Sequence, residues 1–400
     1  MRIPIIALIV VLFLSLVLDF YIWKALKSRL KSRIYSRVQM VSALLLWAFL
    51  IVAVSLPRRS GSDETLLCIM WMLFGYMTVY SAKLVFVVVD LLASAPKLWH
   101  RHRMKWLTRS GAVAGIIVFS AMWWGALVNR FNHQIVEKTV YIDNLPDGFD
   151  GYKLVQISDL HTGTYGNDTT YLAGIVSAVN NLHPDAILFT GDIVNRHTAE
   201  ILPHINVLRQ LDSPNGVYAI LGNHDYGDYS DWESEEAKQT DFQSLVNYIR
   251  KDMGWKLLLN ESVMLRSGRD SVALIGVENV GDPPFKIYGS LSRAYPTPGD
   301  SLVKILLTHN PAHWVDSIRD NNAVNIPLTL SGHTHAMQIE LGGVSPAAWR
   351  YETWGGLYSD SLKGASRHQL YVNIGIGTVG LPMRIGATPE ITVLTLKKRP

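Results

Sequence analysis

Seven side chains of metal-ligating type stand in five short stretches of this sequence. Asp159 and His161 lie in Ile157-Ser158-Asp159-Leu160-His161, and Asp192 closes Thr190-Gly191-Asp192. Asn223 lies in Gly222-Asn223-His224-Asp225, and His309 in Thr308-His309-Asn310. His333 and His335 share Ser331-Gly332-His333-Thr334-His335. Two Asp, one Asn and four His could therefore meet at one place. Oxygen and imidazole donors in this mixture suit borderline divalent metals such as Mn, Fe or Zn. A hard cation alone would call for an all-oxygen set.

To meet, residues so far apart in sequence must be carried by neighbouring elements. Each stretch is entered from an apolar run: residues 154–157, 186–189, 217–221, 303–307 and 327–330. These runs are short, rich in Ile, Leu and Val, and bounded by turn residues, so they read as buried strands. Ligands just past the carboxyl ends of neighbouring strands converge on one sheet edge, where open α/β sheets commonly hold their ligands.

The ordered set Asp-x-His, Gly-Asp, Gly-Asn-His-Asp, His and Gly-His-x-His resembles the calcineurin-like metallophosphoesterase superfamily, over about residues 141–396. The resemblance implies an α/β fold, a two-sheet sandwich flanked by helices. It implies two divalent metal ions, with Mn, Fe and Zn as candidates, and a phosphoester substrate. It makes Asp159, His161 and His335 ligands of the first metal and Asn223, His309 and His333 ligands of the second. Asp192 would bridge both, so that the ions stand about 3.5–4 Å apart and clamp one phosphate. His224 would meet the scissile phosphate and aid the leaving group, and Asp225 would orient the His224 imidazole. Metal-activated water would be the nucleophile, attacking a phosphodiester or phosphomonoester. Asn195 and Arg196 follow the second turn and are candidate substrate contacts. So is Arg384, which follows Pro382 as in some bacterial membrane-associated relatives. Relatives often carry Gly-Gly-Gln after the last His, where this chain has Ala336-Met337-Gln338.

Several further elements are legible in the same half. Helices are expected over 171–182, 199–211 and 242–253, and an edge strand over 139–142. Residues 256–259, 263–266 and 272–277 read as strands of the second sheet, and 371–374 and 391–396 close the domain. Residues 228–241 carry six acidic side chains and read as a solvated loop or helix start. His313 stands four residues beyond His309, but Pro311 intervenes and the motif needs only His309, so His313 reads as a structural histidine. Residues 344–358 hold Trp349, Tyr351, Trp354 and Tyr358, directly after the last ligand. Such a loop packs on its own domain, or meets a bilayer or an acyl chain.

The charge is divided unevenly along the chain. Residues 1–133 hold 16 Lys and Arg against 4 Asp and Glu, a balance of +12, and residues 134–400 hold 21 against 29, a balance of −8. The basic third reads as membrane flanks and the acidic remainder as a soluble domain. No nucleic-acid surface is expected. The single cysteine, Cys68, cannot form a disulfide within the chain and reads as a small buried apolar residue.

The amino-terminal third predicts an all-α four-helix transmembrane region, with spans over 3–20, 38–56, 66–92 and 111–128. The domains are then a four-span anchor, 1–130, and a metallophosphoesterase domain, 131–400. The loops after the first and third spans are basic; the third carries Lys97, Arg101, Arg103, Lys105 and Arg109. Basic loops face the cytoplasm. A multi-pass bacterial inner-membrane protein results, its catalytic domain on the periplasmic or extracellular side. Lys83 and Asp90, seven residues apart, are expected on one helix face. The substrate is expected to be lipid-linked or an envelope component. The alternatives are a transmembrane transporter or receptor with a regulatory phosphoesterase domain, and a catalytically silent metal-binding module.

Overall fold

The computed structural model describes residues 5–29, 31–100, 102–281, 286–296, 302–360 and 368–399. Arg101 of the third loop lies outside these. The chain forms two compact units, made essentially of residues 1–128 and of residues from 129 onward.

The first unit is four helices: α1 (Ile5–Arg29), α2 (Arg33–Ser55), α3 (Asp63–Ser94) and α4 (Lys105–Leu127). All four are long and apolar enough to cross a membrane. α2 and α3 start at Ser32 and Ser62, whose side chains accept the N–H of Tyr35 and Thr65 and satisfy donors that a helix start leaves open. Large apolar side chains such as Ile6, Phe13, Leu44 and Ile116 point outward. That is the reverse of a soluble bundle and suits hydrocarbon. The charged residues pair across helices. Lys83 meets Asp19 at 2.6 Å, and Asp19 also accepts from Tyr80, Gln39 and Trp47. Asp90 is held by Arg29 at 2.6 Å, by Tyr21 and by Arg103. Lys83 and Asp90 therefore do not form a pair of their own; each has a different partner. Cys68 is exposed on α3 rather than buried.

The second unit is built on two mixed six-stranded sheets. The strands are β1 (Gln134–Ile142), β2 (Lys153–Ile157), β3 (Ala186–Phe189), β4 (Val217–Ala219), β5 (Lys256–Leu257), β6 (Glu261–Ser267), β7 (Asp270–Gly276), β8 (Lys304–Leu307), β9 (Leu328–Ser331), β10 (Gly356–Ser359), β11 (Gln369–Val372) and β12 (Glu390–Lys398). One sheet runs β1-β12-β2-β3-β4-β5 and the other β10-β11-β9-β8-β7-β6. Alternate residues of β2 and β3 face opposite ways. Leu154, Ala186 and Leu188 pack against Leu274, Ile305, Leu307, Leu328 and Leu330 of the other sheet, forming the inner core. Val155, Ile157, Ile187 and Phe189 pack outward against α5 (Thr170–Asn181) through Leu172, Ile175, Val176 and Val179. Strands buried on both faces read as near-continuous apolar runs, as β3 does; β2 is interrupted by buried Gln156, whose amide donates to the Thr190 hydroxyl and the Ser331 carbonyl.

β2, β3 and β4 are mutually parallel, as are β8 and β9. All five chain segments with ligand-type residues leave the carboxyl ends of these strands.

Three expectations need correction. The helix expected over 199–211 is a 3-10 segment, Thr198–His204, followed by a single turn, α6 (Ile205–Leu208); Pro203 lacks the N–H that a regular helix needs. The helix expected over 242–253 begins earlier, as α7 (Glu235–Asn247), because Ser234 caps it by accepting the Ala237 N–H; it ends in a π-turn, Tyr248–Asp252. β5 joins the first sheet beside β4, not the second. The preceding Trp255 packs on Phe189 of that sheet.

Candidate metal centre

Beyond β2 the chain turns sharply, and Asp159 and His161 take positive φ, 54° and 48°. Asp192 (59°), His333 (77°) and His335 (50°) do the same. Five of the seven ligand candidates thus occupy the left-handed region, uncommon for residues with a Cβ and costing of order 1–3 kcal/mol each. The folded core holds them there. The Asp159 N–H donates to the Gly191 carbonyl at 2.9 Å, and the His333 N–H to the Asp159 carboxylate at 3.1 Å. Gly222 admits a close approach: a Cβ there would lie 2.1 Å from Asp192 Oδ1.

The donor atoms converge in two groups, Asp159–His161–His335 and Asp192–His309–His333, each set within 4.8 Å. In the first, the Nε2 atoms of His161 and His335 are 3.0 Å apart, and His335 Nε2 is 3.3 Å from Asp159 Oδ1. In the second, His309 Nε2 is 3.2 Å from His333 Nδ1 and 3.1 Å from Asp192 Oδ2. The same Asp192 Oδ2 is 3.6 Å from His161 Nε2 of the first group. One carboxylate therefore faces both groups.

The chemistry of these donors fits divalent cations. His309 Nδ1 donates to the Thr190 carbonyl at 2.8 Å, so its lone pair lies on Nε2, toward Asp192 and His333. Asn223 Nδ2 donates to the Tyr229 hydroxyl at 2.8 Å, while its buried Oδ1 has no hydrogen-bond partner. Lone pairs aimed at one another, and a buried acceptor without a donor, are costly unless a cation receives them. Asp159, His161, His335 and Asp192 would hold one ion, and Asp192, Asn223, His309 and His333 a second.

The electrostatics point the same way. Burial opposes ionisation of Asp192, yet His309, His224 and His161 hold its carboxyl well below the usual range. Burial likewise opposes ionisation of Asp159, and His335 and His309 hold it low. Burial, then His309, push His333 down to about 3. Burial and His224 push His161 down, keeping it in the neutral form that ligates metal. His309 is the exception: burial lowers it, but the Asp192 carboxylate lifts it to about 9. A cation in place of that proton would satisfy Asp192 in the same way.

His224 lies beside this cluster, its ring edge-on to His161 at 4.8 Å. Its Nδ1 is 2.6 Å from the Asn195 carbonyl. A carbonyl only accepts, so Nδ1 carries the proton and Nε2 is the nitrogen left for a substrate. Asp225 does not orient this ring. Its carboxylate accepts the N–H groups of Asp192, Ile193, Val194 and Gly222, at 2.8–3.2 Å. It braces the Asp192 turn instead. Burial, then the Asp192 charge, push the Asp225 carboxyl up to about 7.

Arg384 is 0% exposed, which removes it as a substrate contact. Its guanidinium donates to the carbonyls of Gly377, Ala387 and Ile374 and lies 3.2 Å from His335 Nδ1. Arg196 is buried as well, 3.8 Å from Glu200. Asn195 is half-buried; its amide donates to Thr164, and its carbonyl holds His224. His313 is buried against the Thr308 hydroxyl at 3.0 Å, as a structural histidine should be.

Two contacts escaped the sequence reading. Tyr229 stacks on His224 at 4.2 Å while holding Asn223. Tyr351 places its hydroxyl 3.0 Å from His333 Nε2. Tyr351 was visible only as one aromatic in a rich loop, and nothing in the spacing of Tyr229 marked it.

Comparison with known proteins bears on this geometry. Residues 152–337 match the family described as Calcineurin-like phosphoesterase. Residues 1–130 match one described as Probable Calcineurin-like phosphoesterase, transmembrane domain. The metallophosphoesterase YkuE of Bacillus subtilis (strain 168) is 33% identical over 272 residues, 66% of this chain and 85% of that protein. A second protein of that organism, the metallophosphoesterase YkoQ, is 28% identical over 289 residues, 69% of this chain and 95% of its own. A transmembrane protein with metallophosphoesterase domain from Danio rerio is 28% identical over 304 residues, 72% of this chain and 62% of that protein. With its ligand groups at the sheet edge and its four candidate spans, the chain belongs to the calcineurin-like metallophosphoesterases, as a membrane-anchored phosphoric ester hydrolase.

Proposed function

We propose that the chain is a binuclear hydrolase of phosphoesters borne by a lipid or another envelope component, acting on a phosphodiester or a phosphomonoester. The observation that carries this reading is Asp192, whose Oδ2 lies 3.1 Å from His309 Nε2 of one group and 3.6 Å from His161 Nε2 of the other. Two divalent cations held there, of Mn, Fe or Zn type, would supply Lewis acidity to the phosphoryl oxygens and make water a nucleophile near neutral pH. The protein's own part is positional. Asp192 spans the two groups. His224, fixed through Nδ1 by the Asn195 carbonyl and flanked by Tyr229, presents Nε2 to the substrate. As the imidazolium, with a proton on each nitrogen, it would donate the Nε2 proton to the leaving-group oxygen and return to the neutral ring. Asp225 keeps the Asp192 turn in its left-handed bend. Asn195 reaches the substrate only through this hold on His224.

Charge distribution supports the placement in the membrane. The third loop is basic, and so is the carboxyl end of α1, which supports a cytoplasmic side for both. The catalytic domain then faces the periplasm or the exterior of a bacterial inner membrane. A reporter fused after Pro400 that is active only in the cytoplasm would sink that orientation.

The activity is tested with the full-length chain in detergent, supplied with Mn²⁺ or Zn²⁺. Hydrolysis of bis-p-nitrophenyl phosphate is compared with that of the monoester. Turnover of either that disappears with a chelator and returns with metal is the expected result. Stoichiometric metal uptake without turnover of these or of lipid phosphoesters would favour a silent binding module.

A further inference from the structure

Proteins in water rarely gather large apolar side chains at one surface site without a use for them. Among the described residues of the second unit, the three most exposed large apolar side chains are Trp349 at 91%, Val344 at 70% and Leu341 at 66%. They stand within one segment, 341–349, with half-exposed Met337 just before it. The segment is built rather than loose. Leu341 and Val344 bond to each other through both N–H groups, at 2.9 and 3.2 Å. Gly342 and Gly343 turn between them at φ +60° and +80°, the left-handed pair such a two-residue hairpin requires. Below, the buried Ser345 hydroxyl donates to the Ala336 carbonyl at 2.6 Å and accepts the Ala347 N–H at 3.0 Å. The backbone is thus fixed inward while its apolar side chains point out.

The segment's place within the unit indicates what it faces. Ile339 bridges to Ile385, and the neighbouring Arg384 carbonyl accepts from Asn129 at 3.0 Å. Asn129 is the unit's first residue, two positions past the end of α4, a helix able to cross a membrane. The apolar segment is therefore tied to the point where the unit begins. At its other end, Trp349 is two residues from Tyr351, which touches His333. Trp favours the membrane–water boundary, and the exposed Arg350 beside it suits anionic headgroups.

We propose that residues 341–349 enter the interface of the bilayer that holds α1–α4, setting the metal centre at headgroup depth, so that its substrates are phosphoesters carried by lipids of that bilayer. The substrate half rests on the phosphoesterase reading; the membrane contact does not.

The test uses the full-length chain with Cys68→Ser, nitroxide-labelled at Leu341→Cys, Val344→Cys or Trp349→Cys, in nanodiscs of phosphatidylethanolamine and phosphatidylglycerol. At these positions collision with oxygen should exceed collision with a water-soluble nickel chelate. Arg269→Cys, at the opposite end of β7 from the metal centre, should show the reverse. Nickel accessibility at all three positions equal to that at residue 269 overturns the contact, whatever the enzyme does. In a second arm, Leu341, Val344 and Trp349 are changed together to Ser. Turnover of a bilayer-embedded phosphoester should fall about tenfold, with bis-p-nitrophenyl phosphate hydrolysis retained. Equal loss on both substrates overturns the docking role. A wild-type chain that turns over neither ester overturns the substrate half, while the depth measurement still decides the contact.

Discussion

The phenol of Tyr351 stands 3.0 Å from Nε2 of His333, whose other nitrogen lies 3.2 Å from His309 Nε2. If Nδ1 ligates the second ion, Nε2 carries the proton and donates it to the phenol, fixing the ring. Tyr351→Phe should then weaken binding of the second metal by about tenfold or more, leaving the first untouched. Metal titration followed by elemental analysis would show one ion lost before the other. Equal loss of both ions, or of neither, would contradict it.

Asp192 and His224 should fail in different ways. Asp192→Ala removes the one carboxylate that faces both groups, so metal and activity should vanish together. His224→Ala leaves every proposed ligand in place. It should keep its metal content and lose about 10²–10⁴ in kcat. Full activity in either variant would refute the assignment.

Arg384 separates structure from substrate binding. Its guanidinium fills a closed space and donates to three carbonyls. Arg384→Met strands those acceptors and should cost about 3 kcal/mol or more of stability. Arg384→Lys should recover little, because an ammonium cannot reproduce the fork. Thermal unfolding should shift sharply, while KM of the folded fraction stays near wild type. A raised KM at unchanged Tm would restore the substrate-contact reading.

Why was the ligand set legible and its support not? Each candidate ligand follows a short apolar run, bounded by turn residues, that reads as a buried strand, and the strand order brings the ends together. Asp225, Arg384 and Tyr351 act through contacts that no local pattern encodes. Asp225 sits beside His224 in sequence, yet the 3-10 turn Asn223–Tyr226 sends its carboxylate to the backbone of the Asp192 loop. Arg384 reads as a substrate contact because it follows Pro382 as in some bacterial membrane-associated relatives. Only the packed structure shows it sealed behind His335. The two residues of β5 carry no pattern that selects a sheet.

His313 gives a stability signature of its own. Burial pushes it down to about 4, so it is neutral in the folded state. In the unfolded chain it protonates near the ordinary value of about 6.5. Between those values the unfolded state binds more protons, so stability is full above about pH 6.5 and falls as the pH drops toward 4. The loss from this group is about 3 kcal/mol at its limit. His313→Gln should flatten the decline relative to wild type, measured by denaturant unfolding across that range. Metal release acts in both proteins, so the difference between them is the readout. Parallel curves would show that the imidazole is not held neutral.

The pair of Lys83 with Asp19 tests whether the helical bundle does more than anchor. Asp19 accepts from Lys83, Tyr80, Gln39 and Trp47 inside the first unit. A charge so fully partnered fits a static pin better than a site awaiting an ion. Lys83→Met leaves the carboxylate without its countercharge and should destabilise the detergent-solubilised chain by about 3–5 kcal/mol. Asp19→Asn with Lys83→Met removes both charges and should recover most of that loss, so the double-mutant cycle should show strong coupling. If the bundle only anchors, kcat and KM in the double variant match wild type. If it carries or senses a solute, the double variant keeps its stability and loses cellular function, because charge rather than packing was needed there. Measuring stability and function on Lys83→Met, on Asp19→Asn and on the double variant tells these apart.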